Sequence, residues 1–293
     1  MRLKVWLKDN PNGLYGKTVA MTGCTGGIGR RLCRLLLKAG AALVMLDRSP
    51  SKAASLREKL IREYPSAKLI PIQVSLDDMD SVKAACEQLK ALPIDIFIHN
   101  AGAYCIPRHT TPEGFDNVFQ INALAPYILT KALLPQLRER GGRVVLVSSI
   151  AHRYSHTDPN DVDFTTRRAA SLVYGNAKRR CMFALYELFR NETQATLSVC
   201  HPGITLTNIT AHYPKWVFAL IKYPMKVIFM SPSKAAMSIF WGCVEACGYH
   251  EWIGPRWFDI WGLPKKRRLH SCSTAESEAI YQAMEDCIKR AAQ

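Results

Sequence analysis

The fold of this chain is decided by the stretch Val19-Ala20-Met21-Thr22-Gly23-Cys24-Thr25-Gly26-Gly27-Ile28-Gly29. It reads as a short apolar strand, a tight glycine turn and the start of a helix, which continues to Leu37 with an apolar stripe on one face. Glycines let the backbone approach a pyrophosphate closely, and a helix N-terminus offers unpaired N–H groups and the positive end of its dipole. The order of strand, turn and helix therefore predicts a dinucleotide site.

Asp47 stands where such a site needs an acidic residue, about 20 residues beyond the turn and at the end of a second apolar strand, residues 41–46. A carboxylate accepts hydrogen bonds from ribose hydroxyls and repels a 2′-phosphate, so NAD(H) is the favoured cofactor. Arg48 follows immediately and could bind that phosphate, which keeps NADP(H) as the alternative.

Strands and helices alternate along most of the chain. The predicted strands are residues 17–21, 41–46, 68–74, 93–99, 143–149, 195–200 and 257–261. Short apolar strands separated by helices predict a parallel sheet that is buried on both faces. We therefore expect an α/β fold: a Rossmann-type, doubly wound parallel sheet of about seven strands, with helices on both faces. Polar residues at the strand ends should then converge on one edge of the sheet.

The 293 residues are expected to form a single domain in four parts. Residues 1–16 are an N-terminal lead-in, and residues 17–203 are the cofactor-binding and catalytic core. Residues 204–262 are a lid over a substrate pocket, and residues 263–293 are a basic segment followed by a C-terminal helix.

The net charge of +15 indicates a surface that attracts anions. The basic residues are scattered and no nucleic-acid motif interleaves them with aromatic side chains, so we expect no nucleic-acid partner. Ten cysteines without a C-x-x-C pair, in a chain without a secretory signal, indicate reduced thiols in a cytoplasmic protein. The eight histidines lack metal-ligand spacing, so no metal is expected.

The pattern Tyr174-Gly175-Asn176-Ala177-Lys178 predicts acid–base chemistry. Residues four apart share one face of a helix, so the phenol of Tyr174 and the ammonium of Lys178 lie on the same side. A free tyrosine has a pKa of about 10, too high for acid–base work near neutrality. Because a nearby positive charge favours the phenolate, we expect Lys178 to lower the pKa of Tyr174.

Further residues at matching positions make this pattern specific. They are Asn100-Ala101-Gly102 after the fourth strand, Asn122 within Phe119-Gln120-Ile121-Asn122, Ser149 at the end of the fifth strand, and Pro202-Gly203-Ile204-Thr205-Leu206-Thr207 after the sixth. With them the chain resembles the short-chain dehydrogenase/reductase family over essentially its whole length. Thr111-Pro112-Glu113-Gly114-Phe115, Val147-Ser148-Ser149-Ile150-Ala151-His152 and His201-Pro202-Gly203 are most similar to its retinol-dehydrogenase-like branch.

The resemblance implies an NAD(P)-dependent alcohol dehydrogenase or carbonyl reductase for steroid-, retinoid- or lipid-like substrates. Tyr174 is the implied general acid/base, and Lys178 also binds the nicotinamide ribose. Ser149 is the implied donor to the substrate oxygen, with Ser148 as its rival on the opposite face of the strand. Asn122 is implied to hold a water next to Lys178. The implied cofactor-binding residues are Thr22, Gly23, Thr25, Gly26, Gly27, Ile28, Gly29, Asp47, Arg48, Gln73, Val74, Asn100, Ala101, Gly102, Tyr174, Lys178, Pro202, Gly203, Thr205 and Thr207.

Three residues depart from the family pattern. Asp47 replaces the small residue or cysteine that is usual in NADP-using retinol dehydrogenases. Gln73 stands where an aspartate usually contacts adenine, and its amide can still pair with the base. His99 replaces an asparagine before Asn100, and we interpret it as a hydrogen-bonded histidine at a strand end.

Aromatic residues are dense between residues 204 and 262. They fit a lid over a lipophilic pocket, a membrane-facing patch with Lys215, Lys222 and Lys226 at the headgroups, or plain core packing. We favour the lid with some peripheral membrane contact. By resemblance, helices at residues 122–137 and 171–190 pair subunits into a homodimer or homotetramer. The alternative function is a dinucleotide-binding regulatory or scaffold protein with little turnover.

Overall fold

Eight strands form one sheet in the order β3-β2-β1-β4-β5-β6-β7-β8 in a computed structural model that describes residues 3–10, 13–204 and 230–291. The strands are β1 Thr18–Thr22, β2 Ala42–Asp47, β3 Leu69–Gln73, β4 Ile96–His99, β5 Arg143–Val147, β6 Thr196–Cys200, β7 Glu251–Trp257 and β8 Trp261–Arg268. Neighbouring strands are parallel except β7 and β8. The order reverses between β1 and β4, and doubly wound sheets bind their ligands at this switch point, beyond the carboxyl ends of the strands.

Helices cover both faces of this sheet. They are α1 Leu3–Asp9, α2 Gly27–Lys38, α3 Pro50–Glu63, α4 Met79–Lys90, α5 Asn117–Phe119, α6 Ala125–Glu139, α7 Ala170–Leu188, α8 Pro232–Val244 and α9 Thr274–Ala291. One apolar core lies between the sheet and α2, α3 and α8, and a second lies between the sheet and α4, α6, α7 and α9. The predicted α/β fold of Rossmann type is therefore confirmed.

The predicted strand at residues 257–261 is wrong. Trp257 ends β7 and Trp261 begins β8, and residues 258–260 between them form a turn closed by a hydrogen bond of 2.9 Å from the Ile260 N–H to the Trp257 carbonyl. Phe258 and Asp259 have φ angles of 52° and 59°, the left-handed conformation that tight hairpin turns commonly need. The sheet thus has eight strands instead of about seven, because part of the predicted basic segment forms β8.

Residues 230–262, assigned to the lid from the sequence, belong instead to the framework of the fold. Ser231 caps α8 by accepting a hydrogen bond from the Lys234 N–H, and Ile239 and Phe240 of α8 are completely buried. β7 is hydrogen-bonded into the sheet beside β6. The rest of the predicted lid, residues 205–229 with Lys215, Lys222 and Lys226, lies outside the described residues.

The C-terminal helix α9 lies on α7 and α6. Ion pairs fix it there, from Arg179 to Glu276 at 2.7 Å and from Lys131 to Glu285 at 2.6 Å. Beneath α9, α7 is buried almost continuously. A homodimer or homotetramer remains a prediction, but pairing through α6 and α7 would require α9 to move, because α9 occupies this surface.

The N-terminal lead-in contains α1, and an aromatic contact joins it to the rest of the fold. Trp6 packs edge-on against Phe240 of α8, with ring centroids 5.4 Å apart. Within residues 3–10, 13–204 and 230–291, every helix is too short or too polar to span a bilayer.

Candidate active site

The glycine turn between β1 and α2 exposes backbone where a pyrophosphate is expected. Gly23 has a φ of +73°, which favours glycine, and a Cβ there would lie 2.9 Å from the Cα of Ala101. Gly26 is the N-cap residue of α2 and has no side chain to cap the first N–H groups of the helix. The turn therefore presents exposed backbone N–H groups at a helix N-terminus, an arrangement that suits a phosphate group.

Replacing Gly29 with alanine should destabilise the protein, because the new Cβ would lie 2.1 Å from the Gly23 carbonyl oxygen. Relieving such overpacking against backbone costs about 3 kcal/mol. Urea unfolding followed by circular dichroism measures the loss. Gly26→Ala is the matched control, because its Cβ would make an ordinary 3.4 Å contact with the same oxygen and its φ of −70° suits alanine. Equal stability of the two variants would contradict the prediction.

A cleft of about 410 Å³ opens beside this turn, at the carboxyl ends of β1, β2 and β4. Most predicted cofactor residues line it: Thr22, Gly23, Thr25, Gly26, Gly27, Ile28, Gly29, Asp47, Arg48, Val74, Asn100, Ala101 and Gly102. The sequence reasoning missed Leu46, Ser49, Lys52, Leu76, Asp77, Ala103, Tyr104, Ile106 and Ile121. Asp77 carries a signal that could have found it, since it is an acidic residue shortly after the end of β3.

Gln73 does not line the cleft, and its contact with adenine stays a prediction. It pairs with Asp47 in the register of β3 and β2, and its side chain is exposed. Val74, Leu76 and Asp77 line the cleft instead, because the chain turns towards it only after β3 has ended. Asp77 accepts a hydrogen bond of 2.5 Å from the Ser75 hydroxyl.

Asp47 is buried at the wall of the cleft and is held by the glycine turn. Its Oδ1 accepts hydrogen bonds from the Thr25 N–H (2.9 Å) and the Thr25 hydroxyl (2.7 Å). Its Oδ2 is buried without a hydrogen-bond partner among the described residues. Burial raises the pKa of Asp47, and the hydrogen bonds from Thr25 oppose this shift. Asp47 therefore also orders the turn, a role that the sequence did not predict.

Thr22 and Asn100 tie β1 to β4 at the switch point. The Thr22 hydroxyl accepts hydrogen bonds from the N–H groups of Asn100 (3.1 Å) and Ala101 (3.0 Å). The Asn100 amide donates to the carbonyls of Thr22 (3.1 Å) and Gly23 (3.0 Å). Both side chains thus hold the floor of the cleft in shape.

The four predicted catalytic residues come together next to the cleft. Tyr174 is hydrogen-bonded to the Ser149 side chain. The Lys178 ammonium donates to the Val147 carbonyl at 3.0 Å. A Cβ placed on Gly102 would lie 2.9 Å from Asn122 Oδ1 and 3.4 Å from Lys178 Nζ, so Gly102 joins these two residues to the wall of the cleft.

Asn122 lies in a π-helical turn, Gln120–Leu124, between α5 and α6. Its Nδ2 donates to the carbonyls of Ala103 and Val118, both at 2.8 Å, and its Oδ1 accepts from the Ala103 N–H at 3.2 Å. Asn122 therefore fixes the chain that lines the cleft. π-Helical turns occur frequently at functional sites. Its predicted role in holding a water stays a prediction.

Tyr174 has a raised pKa, contrary to the sequence-based expectation. Burial raises it to about 12, while the hydrogen bond to Ser149 lowers it and the neighbouring Tyr104 raises it further. The two tyrosine rings meet edge to face, with centroids 5.2 Å apart. Lys178 is itself buried, which lowers its pKa to about 8. The sequence-based expectation considered the charge of Lys178 and did not include the burial of Tyr174, which raises its pKa.

The loop after β6 lies under the hairpin of β7 and β8. Gly203 has a φ of +80°, and a Cβ there would lie 2.8 Å from the Ile260 carbonyl oxygen. In the part of the chain that the structure describes, Pro202 and Gly203 are not among the residues that line the cleft. Thr205 and Thr207 lie outside the part of the chain that the structure describes.

Known proteins share the sequence pattern and the fold of this chain. Residues 17–217 match the family model described as short chain dehydrogenase. Retinol dehydrogenase 14 of Mus musculus is 30% identical over 96% of this chain and 85% of its own. A protein of Mycobacterium paratuberculosis has the same fold, with a TM-score of 0.76 and 24% identity over 96% of both chains. A short-chain dehydrogenase from Sphingobium yanoikuyae, solved in complex with NADPH, has a TM-score of 0.60 and 22% identity over 77% of this chain and 84% of its own.

The chain belongs to the short-chain dehydrogenase/reductase family. Within it, the chain falls in the retinol-dehydrogenase-like branch, as the motifs predicted. It is accordingly an NAD(P)-dependent oxidoreductase that acts on CH–OH groups.

Proposed function

We propose that this enzyme transfers hydride between a nicotinamide cofactor and a hydrophobic alcohol, ketone or aldehyde, with Tyr174 as general acid/base. The observation that carries the proposal is that the cleft adjoins the four predicted catalytic residues. Gly102 and Tyr104 line the cleft, Gly102 adjoins Asn122 and Lys178, and the ring of Tyr104 contacts Tyr174. A cofactor laid from the glycine turn along this cleft would end beside Tyr174.

The residues fit a dinucleotide on structural grounds. The glycine turn leaves backbone N–H groups uncapped, and the close approach at Gly29 leaves no room for a side chain. The bound cofactor supplies the hydride or receives it. Tyr174 donates its proton to a substrate carbonyl oxygen in reduction and accepts the alcohol proton in oxidation, and Ser149 donates a second hydrogen bond to that oxygen. Lys178 provides a positive charge that favours the phenolate formed.

A hydrophobic substrate is supported by the wall of the cleft near Tyr174. Ala103, Tyr104, Ile106 and Ile121 line the cleft, and the ring of Tyr104 contacts Tyr174. Apolar walls with few polar groups are typical of sites for lipophilic ligands. The similarity to a retinol dehydrogenase supports a retinoid-like alcohol or aldehyde as the first class to test.

The experiment is turnover with NADH and with NADPH against retinal, medium-chain aldehydes and steroid ketones. We expect saturable reduction of at least one of these lipophilic carbonyl classes, and none of small polar sugars. Tight cofactor binding without turnover of any compound would contradict the proposal and favour a regulatory protein.

We further propose that NAD(H) is the preferred cofactor, with NADP(H) as the alternative. The carboxylate of Asp47 lies in the cleft wall and would repel a 2′-phosphate. Arg48 and Lys52 line the same end and are the cations that such a phosphate would meet.

Replacing Asp47 with asparagine should shift the preference towards NADPH. Asparagine keeps an acceptor for Thr25 and removes the charge, so the ratio of kcat/KM for NADH to that for NADPH should fall about tenfold, equivalent to about 1.4 kcal/mol. Arg48→Ala is the paired variant and should raise this ratio. A wild-type enzyme with the higher kcat/KM for NADPH would refute the assignment.

A further inference from the structure

The turn of the β7–β8 hairpin carries an exposed apolar surface. The side chains of Trp257, Phe258, Trp261 and Leu263 are 56, 75, 44 and 46% exposed. We call these four residues the hairpin tip. Phe258 meets Trp261 edge to face, with ring centroids 6.3 Å apart, so the tip is one continuous patch. Apolar patches at the surface are typical of interaction sites.

Polar contacts hold the backbone of the tip although its sequence is unfavourable for the turn. Phe258 and Asp259 both have positive φ, a conformation that suits glycine and asparagine. The Asp259 carboxylate pairs with Arg153 at 3.1 Å and with Arg267, and its carbonyl accepts a hydrogen bond of 2.9 Å from His201 Nε2. The buried polar contacts of Asp259 thus maintain a turn that presents a large aromatic ring to the outside.

Basic side chains lie on the strands that lead to the tip. Arg256 and Lys265 are exposed there, and the Arg256 guanidinium lies 5.8 Å from the ring centroid of Trp257. Arg268 is exposed at the opposite end of the hairpin, where it pairs with Glu251 in the strand register. Its two carboxylates are engaged, since Asp259 is buried in ion pairs and Glu251 accepts a hydrogen bond from the Gly248 N–H at 2.9 Å. Glu245, on the neighbouring segment, pairs with Lys266 at 3.3 Å. The outer face of the hairpin is therefore apolar at its end and positive along its sides.

The hairpin also lies at the edge of the sheet that carries the cleft. Ile260 contacts the loop at Gly203, directly after the carboxyl end of β6, and the cleft opens at the carboxyl ends of β1, β2 and β4. A partner that bound the tip would therefore lie on the same side of the molecule as the predicted catalytic residues.

We propose that the hairpin tip docks into the interface of an anionic lipid bilayer. Trp257, Phe258 and Trp261 would lie at the level of the headgroups, where aromatic side chains are most favourable. Arg256 and Lys265 would contact acidic headgroups. A second copy of this chain is a poorer occupant, because two positively charged faces repel each other. The proposal concerns binding and is independent of the proposed catalytic function.

Co-sedimentation of the full chain with vesicles of phosphatidylcholine and phosphatidylserine tests this. We expect binding that falls with added salt, as screening requires, and partitioning that falls about tenfold in the triple variant Trp257→Ser/Phe258→Ser/Trp261→Ser. Tyr15→Ser is the matched control, because Tyr15 is an aromatic residue that is 77% exposed elsewhere, and it should bind like wild type. Wild-type binding by the triple variant would overturn the proposal.

A second measurement keeps the test independent of folding. Brominated lipids should quench the tryptophan emission of the wild-type protein, and Trp257→Phe/Trp261→Phe should abolish the quenching while vesicle binding persists, because phenylalanine retains the apolar surface. Quenching that persists in this double variant would overturn the insertion of the tip. Light scattering that shows a dimer lost in the triple variant, without vesicle binding by wild type, would assign the tip to contact between copies.

Discussion

Replacing Tyr174 with phenylalanine should lower kcat about a thousandfold and leave the dissociation constant for the cofactor nearly unchanged. Phenylalanine removes only the hydroxyl that is hydrogen-bonded to Ser149, so the ring contact with Tyr104 remains. General acid–base catalysis contributes about 10²–10⁴-fold in rate, which sets the size of the loss. Stopped-flow single turnover measures the chemical step, and fluorescence titration with the reduced cofactor measures binding.

Tyr154→Phe is the control for this change, because Tyr154 is exposed directly after the short helix Ile150–Arg153 that follows Ser149. It should keep wild-type kcat. More than a tenth of wild-type activity in Tyr174→Phe would exclude Tyr174 as the proton donor. Equal loss of cofactor binding and turnover would indicate a damaged site instead.

The free energy of unfolding should fall by about 4 kcal/mol per pH unit between pH 6 and about pH 4.5. Three histidines cause this. Burial lowers the pKa of His99 and His201 to about 3 and that of His152 to about 4. The unfolded chain takes up protons near pH 6.5, whereas the folded chain does not until these lower values, so stability is fully present above pH 6.5 and is lost as the pH falls. Each histidine contributes about 1.4 kcal/mol per pH unit in this window.

Urea unfolding at a series of pH values measures this slope. At about 4 kcal/mol per pH unit, stability should fall by about 6 kcal/mol between pH 6 and pH 4.5, a large part of a typical native stability of about 5–15 kcal/mol. His99→Asn should reduce the slope by about a third, because it removes one buried titrating group. His270→Asn is the control, since His270 is exposed, and it should leave the slope unchanged. A stability that is flat from pH 6.5 to pH 5 would show that these histidines titrate normally in the folded protein.

The sequence by itself determined the architecture and singled out the four proposed catalytic residues. The glycine turn, the alternation of apolar strands with helices and the spacing of Tyr174 and Lys178 are local patterns, and they could be read without a structure. Because the carboxyl ends of parallel strands meet at one edge of a sheet, these patterns also predicted that Ser149 and Asn100 would lie near the same cleft. These predictions depend on the spacing of apolar residues and on the order of strands and helices along the chain, and both can be read from neighbouring residues.

Only the tertiary structure decided how those residues are used. The pKa of Tyr174 rises because packed elements from distant parts of the chain remove solvent, and the sequence shows the charge of Lys178 but not that burial. Asp47 is bound to Thr25, and Gln73 lies outside the cleft, because the register and ending of strands place them there. The hairpin tip and the cover of α9 over α7 likewise depend on contacts between residues far apart in the chain. Long-range packing sets solvation and exposure, and no local pattern encodes either.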